Sequence, residues 1–199
     1  MIDMTNLSRD LVLPEDLWTH QGRGATDTVA ALSAGEKKIC YTGCTGSGKS
    51  RVMFELIKRI PGNITLYTNR TLLREQLSEN LTRAGVEHGL IAAGHEGNTA
   101  RVQIAMKQTA DSWYIRRDRK PHPVDVLLWD EVHNMASGTS LTLREKHGLD
   151  CVDIGFTATP AGLGHIYNLL NQDPDRATRG PRIRSGRGGR LGSAGKSNS

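Results

Sequence analysis

The sequence predicts an α/β fold with a mostly parallel sheet flanked by helices. Three observations predict it. Short apolar runs alternate with longer amphipathic ones between residues 37 and 157. The run VDVLLW (124–129) is almost wholly apolar, as expected of a strand covered on both faces. Polar clusters follow four of the apolar runs in turn, and in open parallel sheets ligands gather beyond the carboxyl ends of the strands.

The elements come in this order. KKICYT reads as a strand, and SRVMFELIKRI after it as a helix. NITLYT (63–68) is a second strand. In RTLLREQLSENLTRAG, Leu72, Leu73, Gln76, Leu77 and Leu81 suggest one apolar helical face that ends at Gly85. GLIAAG and ARVQIAM are further strands. VDVLLW and CVDIGFT (151–157) complete the set, with Trp129 expected in the core. No internal repeat is present.

Between the first strand and the first of these helices lies GCTGSGKS (43–50), which fits GxxxxGK[ST]. Gly43, Gly48, Lys49 and Ser50 hold the fixed positions, and Thr45, Gly46 and Ser47 fill the loop. Glycines leave room for backbone N–H groups to wrap phosphate oxygens, and the following helix adds its positive end. Lys49 can reach β- and γ-phosphates, and Ser50 can ligate Mg²⁺. Against this stands a plain Gly-rich turn before a helix, which the flanking strand and helix make the weaker reading. Cys44 lies inside the loop near a helix N-terminus, a setting that favours a reactive thiolate.

The second signal is DEVH, delivered by VDVLLW. Asp130 can hold Mg²⁺, directly or through water, and Glu131 can orient and deprotonate an attacking water. Acidic pairs at strand ends are commonly solvated turn residues. The upstream phosphate loop reverses that expectation and implies ATP with Mg²⁺.

Bulk properties narrow the class. The 199 residues are 37% hydrophobic with a mean hydropathy of −0.45, which fits a soluble chain with one sizeable core. The sequence has no run of 18 apolar residues, so no membrane partner is expected, and the N-terminus does not read as a secretory signal. Cys40, Cys44 and Cys151 lack metal spacing and read as reduced thiols, which predicts a cytoplasmic protein. The net charge of +5 is concentrated at one end. Seven basic and no acidic residues follow Asp175, which leaves 19 basic and 21 acidic residues before it, a net of −2. Residues 176–199, rich in Gly, Arg and Ser, are expected to be disordered. Lacking aromatics, this tail reads as a solvated or truncated end more than as a nucleic-acid-binding segment.

With these motifs in place, the chain resembles the first RecA-like domain of a superfamily 2 helicase of the DEAD/DEAH class, over residues 14–170. GCTGSGKS resembles motif I, DEVH motif II in its DExH form, and TATP (157–160) motif III. TNRTLLREQ resembles motif Ia, which implies that Thr68 and Arg70 lie near a nucleic-acid backbone. VQIAM resembles the strand before the next strand-contacting loop. LWTHQ resembles the RPYQ element, which implies that Gln21 reads the adenine edge. The set is most similar to the type III restriction-subunit-like and UvrB-like branch. The resemblance implies that His133, Thr157 and Thr159 couple the γ-phosphate state to strand contacts. It implies nucleic acid as partner, DNA rather than RNA.

The sequence departs from that pattern twice. WTHQ lacks the usual arginine, which bears on adenine selectivity, and residues 171–199 are too few for the second RecA-like domain. Either the chain is a fragment or another polypeptide supplies that half. The expected organisation is an extension over 1–13, a RecA-like domain over 14–175 and the tail over 176–199. The basic stretch Arg116, Arg117, Arg119 and Lys120 reads as a solvated loop or a phosphate contact. Two other readings compete with the motor module. A non-catalytic nucleotide- or nucleic-acid-binding remnant is one. A P-loop phosphotransferase is the other, and it leaves TATP and TNRTLLREQ without a role.

Overall fold

A computed structural model describes residues 4, 6–8, 11–133, 138–148, 150–164 and 166–171. The expected tail, 176–199, lies outside the described residues. The elements are α1 (Thr19–Ser33), β1 (Lys38–Thr42), α2 (Lys49–Arg59), β2 (Ile64–Thr68), α3 (Thr71–Arg83), β3 (His88–Ala92) and β4 (His95–Glu96). They continue with β5 (Val102–Met106), α4 (Lys107–Ala110), a π-helical turn (Asp111–Arg116), β6 (Val126–Asp130), α5 (Gly138–His147), β7 (Val152–Thr157) and β8 (Asn168–Asn171).

The eight strands form one sheet in the order β4-β3-β5-β2-β6-β7-β1-β8. Every pairing is parallel except that of β3 with β4. The mostly parallel α/β architecture is therefore as the sequence predicts. Every residue of β2 and β6 is buried, as central strands covered on both faces must be.

Two apolar layers cover the sheet. On one face α1, α2 and α3 deliver Val29, Leu32, Val52, Leu56, Leu73, Leu77 and Leu81 against Ile39, Leu66, Leu128 and Ile154. Met4 belongs to this layer, and Leu7, Leu11 and Leu13 pack against it. Among the described residues before 14, these four thus lie on the core. The apolar face expected of α3 is narrower than expected. Leu73, Leu77 and Leu81 point inward, but Leu72 is 60% exposed and Gln76 is exposed. The inward stripe keeps a four-residue helical spacing, and Leu72 falls outside it.

Helix α1 shows why a glycine sits inside a helix. A Cβ on Gly24 would lie 2.0 Å from the Tyr41 ring of β1. The lost helix propensity, about 1 kcal/mol, is exchanged for close approach of α1 to the sheet.

On the other face, Tyr67 stacks on Trp129 with ring centroids 4.6 Å apart. The Tyr67 hydroxyl lies 2.6 Å from His147 Nε2, at the end of α5. Burial lowers the His147 pKa from 6.5 to about 4, with His122 as its titratable neighbour. The fold thus favours the neutral ring. The sign follows: this contribution is complete above about pH 6.5 and is lost as pH falls through about 4. Between those limits it is worth at most about 3 kcal/mol. Urea unfolding at pH 7 and pH 4.5 should show a smaller acid loss in His147→Phe than in the parent. Equal losses would remove His147 as the source.

Candidate functional site

The sheet register brings the polar clusters level. Met106 stands opposite Thr68, Asp130 opposite Phe156, and Thr42 opposite Thr157. The carboxyl ends of β2, β6, β7 and β1 are therefore neighbours along one edge, and each is followed by one of the four clusters.

The loop after β1 is anchored at its start, where Gly43 N donates to the Thr157 carbonyl at 3.0 Å. Gly46 and Gly48 have φ of +82° and +75°, where side chains are strained. Gly48 caps α2, which starts at Lys49 and aims its first-turn N–H groups into the loop. Lys49 Nζ arches back and donates to the carbonyls of Gly43 at 3.1 Å and Cys44 at 3.3 Å. Thr45 and Gly46 are exposed on the rim, Ser50 is half-buried in the first turn of α2, and Ser47 is buried with no hydrogen-bond partner for its hydroxyl. A phosphate group fits this loop. The backbone is bare where oxygens would approach, a cation overhangs it, and Ser47 has a hydroxyl to satisfy.

The acidic cluster stands beside it. Asp130 is 7% exposed, and its Oδ2 accepts from Thr68 Oγ1 at 2.8 Å. Thr68 Oγ1 in turn accepts from Arg70 N at 3.0 Å. Burial raises the Asp130 pKa. The Thr68 bond and the charges of Arg70 and Lys49 oppose the rise, while Glu131 adds to it. Glu131 itself has a φ of +54°, a strained conformation for a residue with a side chain. That turn carries its carboxylate to 3.3 Å from His133 Nδ1. The same nitrogen lies 2.8 Å from Thr157 Oγ1, which accepts from Thr159 N at 3.0 Å. Glu131, His133, Thr157 and Thr159 are thereby joined in one chain of contacts across β6 and β7.

The third part is the entry to α1. Gln21 is 6% exposed, and both of its amide atoms are bonded. Oε1 accepts from Trp18 N at 3.2 Å, and Nε2 donates to the Ser47 carbonyl at 3.1 Å. His20 Nε2 meets the same carbonyl at 2.8 Å. His20 carried no expectation from the sequence. The only signal was a ring next to Gln21 in WTHQ. The basic stretch after the π-helical turn does not converge on this edge through any of its ion pairs. Arg116 pairs with Asp111, and Arg119 with Glu96 and the Trp113 ring.

Comparison with known proteins now gives the chain a family. A family model described as "Type III restriction enzyme, res subunit" matches residues 16–162. The chain belongs to that family. It is thus a superfamily 2 helicase-type domain, with the RecA-like fold of its structural neighbours. The UvsW helicase from bacteriophage T4 superposes with a TM-score of 0.58 at 13% identity, covering 85% of this chain and 66% of that one. A putative HsdR subunit of a type I restriction enzyme from Vibrio vulnificus YJ016 gives 0.58 at 16% identity, over 86% and 33%. The Sulfolobus solfataricus SWI2/SNF2 ATPase core in complex with dsDNA gives 0.58 at 14%, over 79% and 36%. The chain therefore spans less than two thirds of the length of these structures. No match was found among curated proteins. Family and fold together make it a RecA-like domain of the helicase type. Among the described residues no helix is long and apolar enough to cross a membrane.

One prediction arises from the loop. Cys44 is exposed, whereas Cys40 and Cys151 are buried and burial raises both of their pKa values, Cys40 to about 12. Peptide mapping after brief alkylation should find Cys44 labelled first and slowed by Mg-ATP. The same labelling rate with and without nucleotide would place the phosphates elsewhere.

Proposed function

We propose that this chain is the ATP-binding and hydrolysing module of a DExH-type helicase or translocase that acts on nucleic acid, DNA rather than RNA. The second RecA-like domain comes from further sequence or from another polypeptide. One observation carries the proposal: the phosphate loop, the acidic pair and the threonine cluster share one sheet edge, level with one another. In this reading Gly43, Thr45, Gly46, Ser47, Gly48 and Lys49 surround the phosphates, and Ser50 and Asp130 hold Mg²⁺. The metal, when bound, neutralises charge on the β- and γ-oxygens.

The remaining work belongs to the side chains. Lys49 turns from the carbonyls of Gly43 and Cys44 toward the γ-phosphate. Glu131 orients the attacking water and takes its proton on the carboxylate. His133, held between Glu131 and Thr157, passes a shift of Glu131 to Thr157 and Thr159. The Thr68–Asp130 bond ties the metal-side carboxylate to Arg70 and so to the strand-contacting side of the domain. Contact to a phosphodiester backbone falls to the exposed Arg70, while Thr68, expected from the sequence to lie there too, is fully buried against Asp130 and supports Arg70 from behind. A phosphotransferase gives no task to this relay.

Calorimetry with Mg-ATP tests the reading. Lys49→Ala should weaken binding about 100-fold, because a charge-assisted contact of about 1.5–3 kcal/mol is lost. Equal affinity in mutant and parent would overturn the phosphate-loop assignment.

A further inference from the structure

We propose that the basic loop after the π-helical turn, residues 116–120, is a second contact for nucleic acid. It holds the phosphodiester backbone of a duplex by charge, on a face of the domain away from the nucleotide edge. It rests on the reading above that the chain acts on nucleic acid, and adds a surface that neither the phosphate loop nor Arg70 supplies.

Arg116, Arg117, Asp118, Arg119 and Lys120 are five consecutive exposed residues, four of them cationic. The rest of residues 1–175 holds 15 basic and 20 acidic residues, a net of −5. The loop is therefore a positive island on a negative domain, and a polyanion is steered to it. The carboxylates nearby are spent elsewhere or loosely engaged. Asp118 pairs with Lys146 of α5. Arg116 pairs with Asp111, and Arg119 meets Glu96 at 3.8 Å, with the Arg116, Arg119 and Glu96 side chains open to solvent. Exposed pairs of this kind are weak and yield to a phosphate. Among the described residues no ion pair or hydrogen bond engages the Arg117 or Lys120 side chain.

A charge run that is only solvated needs no fixed shape, and this one is fixed. The Arg117 and Arg119 amides donate back to the Ser112 and Trp113 carbonyls of the turn, at 3.1 and 2.9 Å. Asp118 turns the chain with a φ of +49°, uncommon for a residue with a side chain. Tyr114, 2% exposed, anchors the turn from beneath, with its hydroxyl 3.2 Å from His122 Nδ1 on the far side of the loop. The Arg119 guanidinium lies over the Trp113 ring, 5.2 Å from its centroid, and is thus held before any ligand arrives. The chain path sets the place. The loop runs on to the amino end of β6, where Asp125 and Val126 donate to the Asn63 carbonyl just before β2. Asp130 and Arg70 stand at the carboxyl ends of those same two strands.

The chemistry selects the partner. Guanidinium forks match phosphate oxygens. Trp113 is covered by Arg119 and offers no open face for a base, so backbone charge is what the loop can read. A duplex carries that charge most densely. The exposed large apolar residues, Val12, Trp18, Leu72, Leu141 and Leu169, all lie outside the loop, whereas a membrane-inserting segment carries such residues beside its cations.

Fluorescence anisotropy of a labelled duplex of about 20 base pairs, with the full chain over a range of salt, tests this. Arg117→Ala with Lys120→Ala should flatten the log–log salt slope by about 2, since each phosphate neutralised contributes about 0.9. The same variant should bind at least about tenfold more weakly at about 0.1 M salt, with the thermal midpoint of the parent. Arg117→Lys with Lys120→Arg should keep the parent slope. Lys58→Ala with Arg83→Ala removes two exposed cations from α2 and α3, on the opposite face, and should change the slope little. An equal effect of that control would assign the result to net charge and overturn the proposal. An unchanged slope in the loop variant, beside a parent that binds, would overturn it too and leave the contact to Arg70. Loss of binding to phosphatidylserine vesicles with duplex binding intact would overturn it in favour of a membrane surface. Binding of single strands alone would also overturn it. Absence of binding by the parent to duplex and single strand alike would instead defeat the nucleic-acid reading and this inference with it.

Discussion

Purified chain 1–199 is expected to bind Mg-ATP, hydrolyse it slowly and separate no duplex. Hydrolysis needs positive charge opposite the γ-phosphate as charge develops there, and a supplied arginine is worth roughly 10³ to 10⁵ in rate. In the described residues the site has one side, the edge of a single sheet. Arg51 is bonded to Asp16 and Glu55, Arg59 to Glu55 and Val12, and Arg101 to carbonyls at the end of α2. Arg70 stands beside Asp130, on the same side as the loop. None of these is held across from Lys49. Strand separation also needs two bodies that close and open with the nucleotide cycle. A fluorescent duplex assay with ATP checks this, with Glu131→Gln as control. Supplying a second RecA-like domain should raise turnover by at least about 10³. Unwinding by the chain alone, abolished in Glu131→Gln, would mean that a second copy completes the site.

How much of this was legible in the sequence depended on what kind of force set each element. Strands covered on both faces announce themselves as apolar runs, and β1, β2, β5, β6 and β7 lie where such runs predict. The register could not be read, because parallel pairing joins residues far apart in sequence. Yet the register is what sets Thr68, Asp130 and Thr157 side by side. Helix α1 gave no clear pattern, since Gly22 and Gly24 interrupt it and the reason for Gly24 lies on another element, in Tyr41. Strand β8 is a short edge strand that pairs only with β1, and NLLN is too brief to signal a strand. The site behaved likewise. Residue types suggested which groups could meet phosphate. The tether from Gln21 and His20 to the Ser47 carbonyl arises only when α1 packs beside α2.

Arg144→Met is expected to be among the most destabilising single changes in the chain. Asp153 is the second residue of β7 and has 0% exposure. Its Oδ2 is 2.6 Å from Arg144 Nε of α5, in ionic contact without hydrogen-bond alignment, and its Oδ1 accepts from the Tyr167 hydroxyl at 3.0 Å. Burial raises the Asp153 pKa, and Arg144 and then Tyr167 hold it down. Removing the guanidinium leaves a buried carboxylate with the neutral Tyr167 hydroxyl and Trp129 indole beside it and Lys38 as its remaining positive neighbour. Breaking such a pair from one side costs about 3–5 kcal/mol, or about 10 °C in Tm for a domain of this size. The sign with pH follows from the same groups. Without Arg144 the folded Asp153 pKa rises further, so the protonated carboxyl is favoured in the fold. The deficit of the variant should therefore be largest near neutral pH and shrink as pH falls toward the ordinary carboxylate range. A second change separates charge from packing. Asp153→Leu added to Arg144→Met replaces the pair by apolar groups and should recover most of the loss, since such swaps are often neutral. Thermal unfolding of the parent, single and double variants at pH 7.5 and pH 5 decides it. A deficit independent of pH, with no recovery in the double variant, would assign the role of Arg144 to packing of α5 and not to the buried charge.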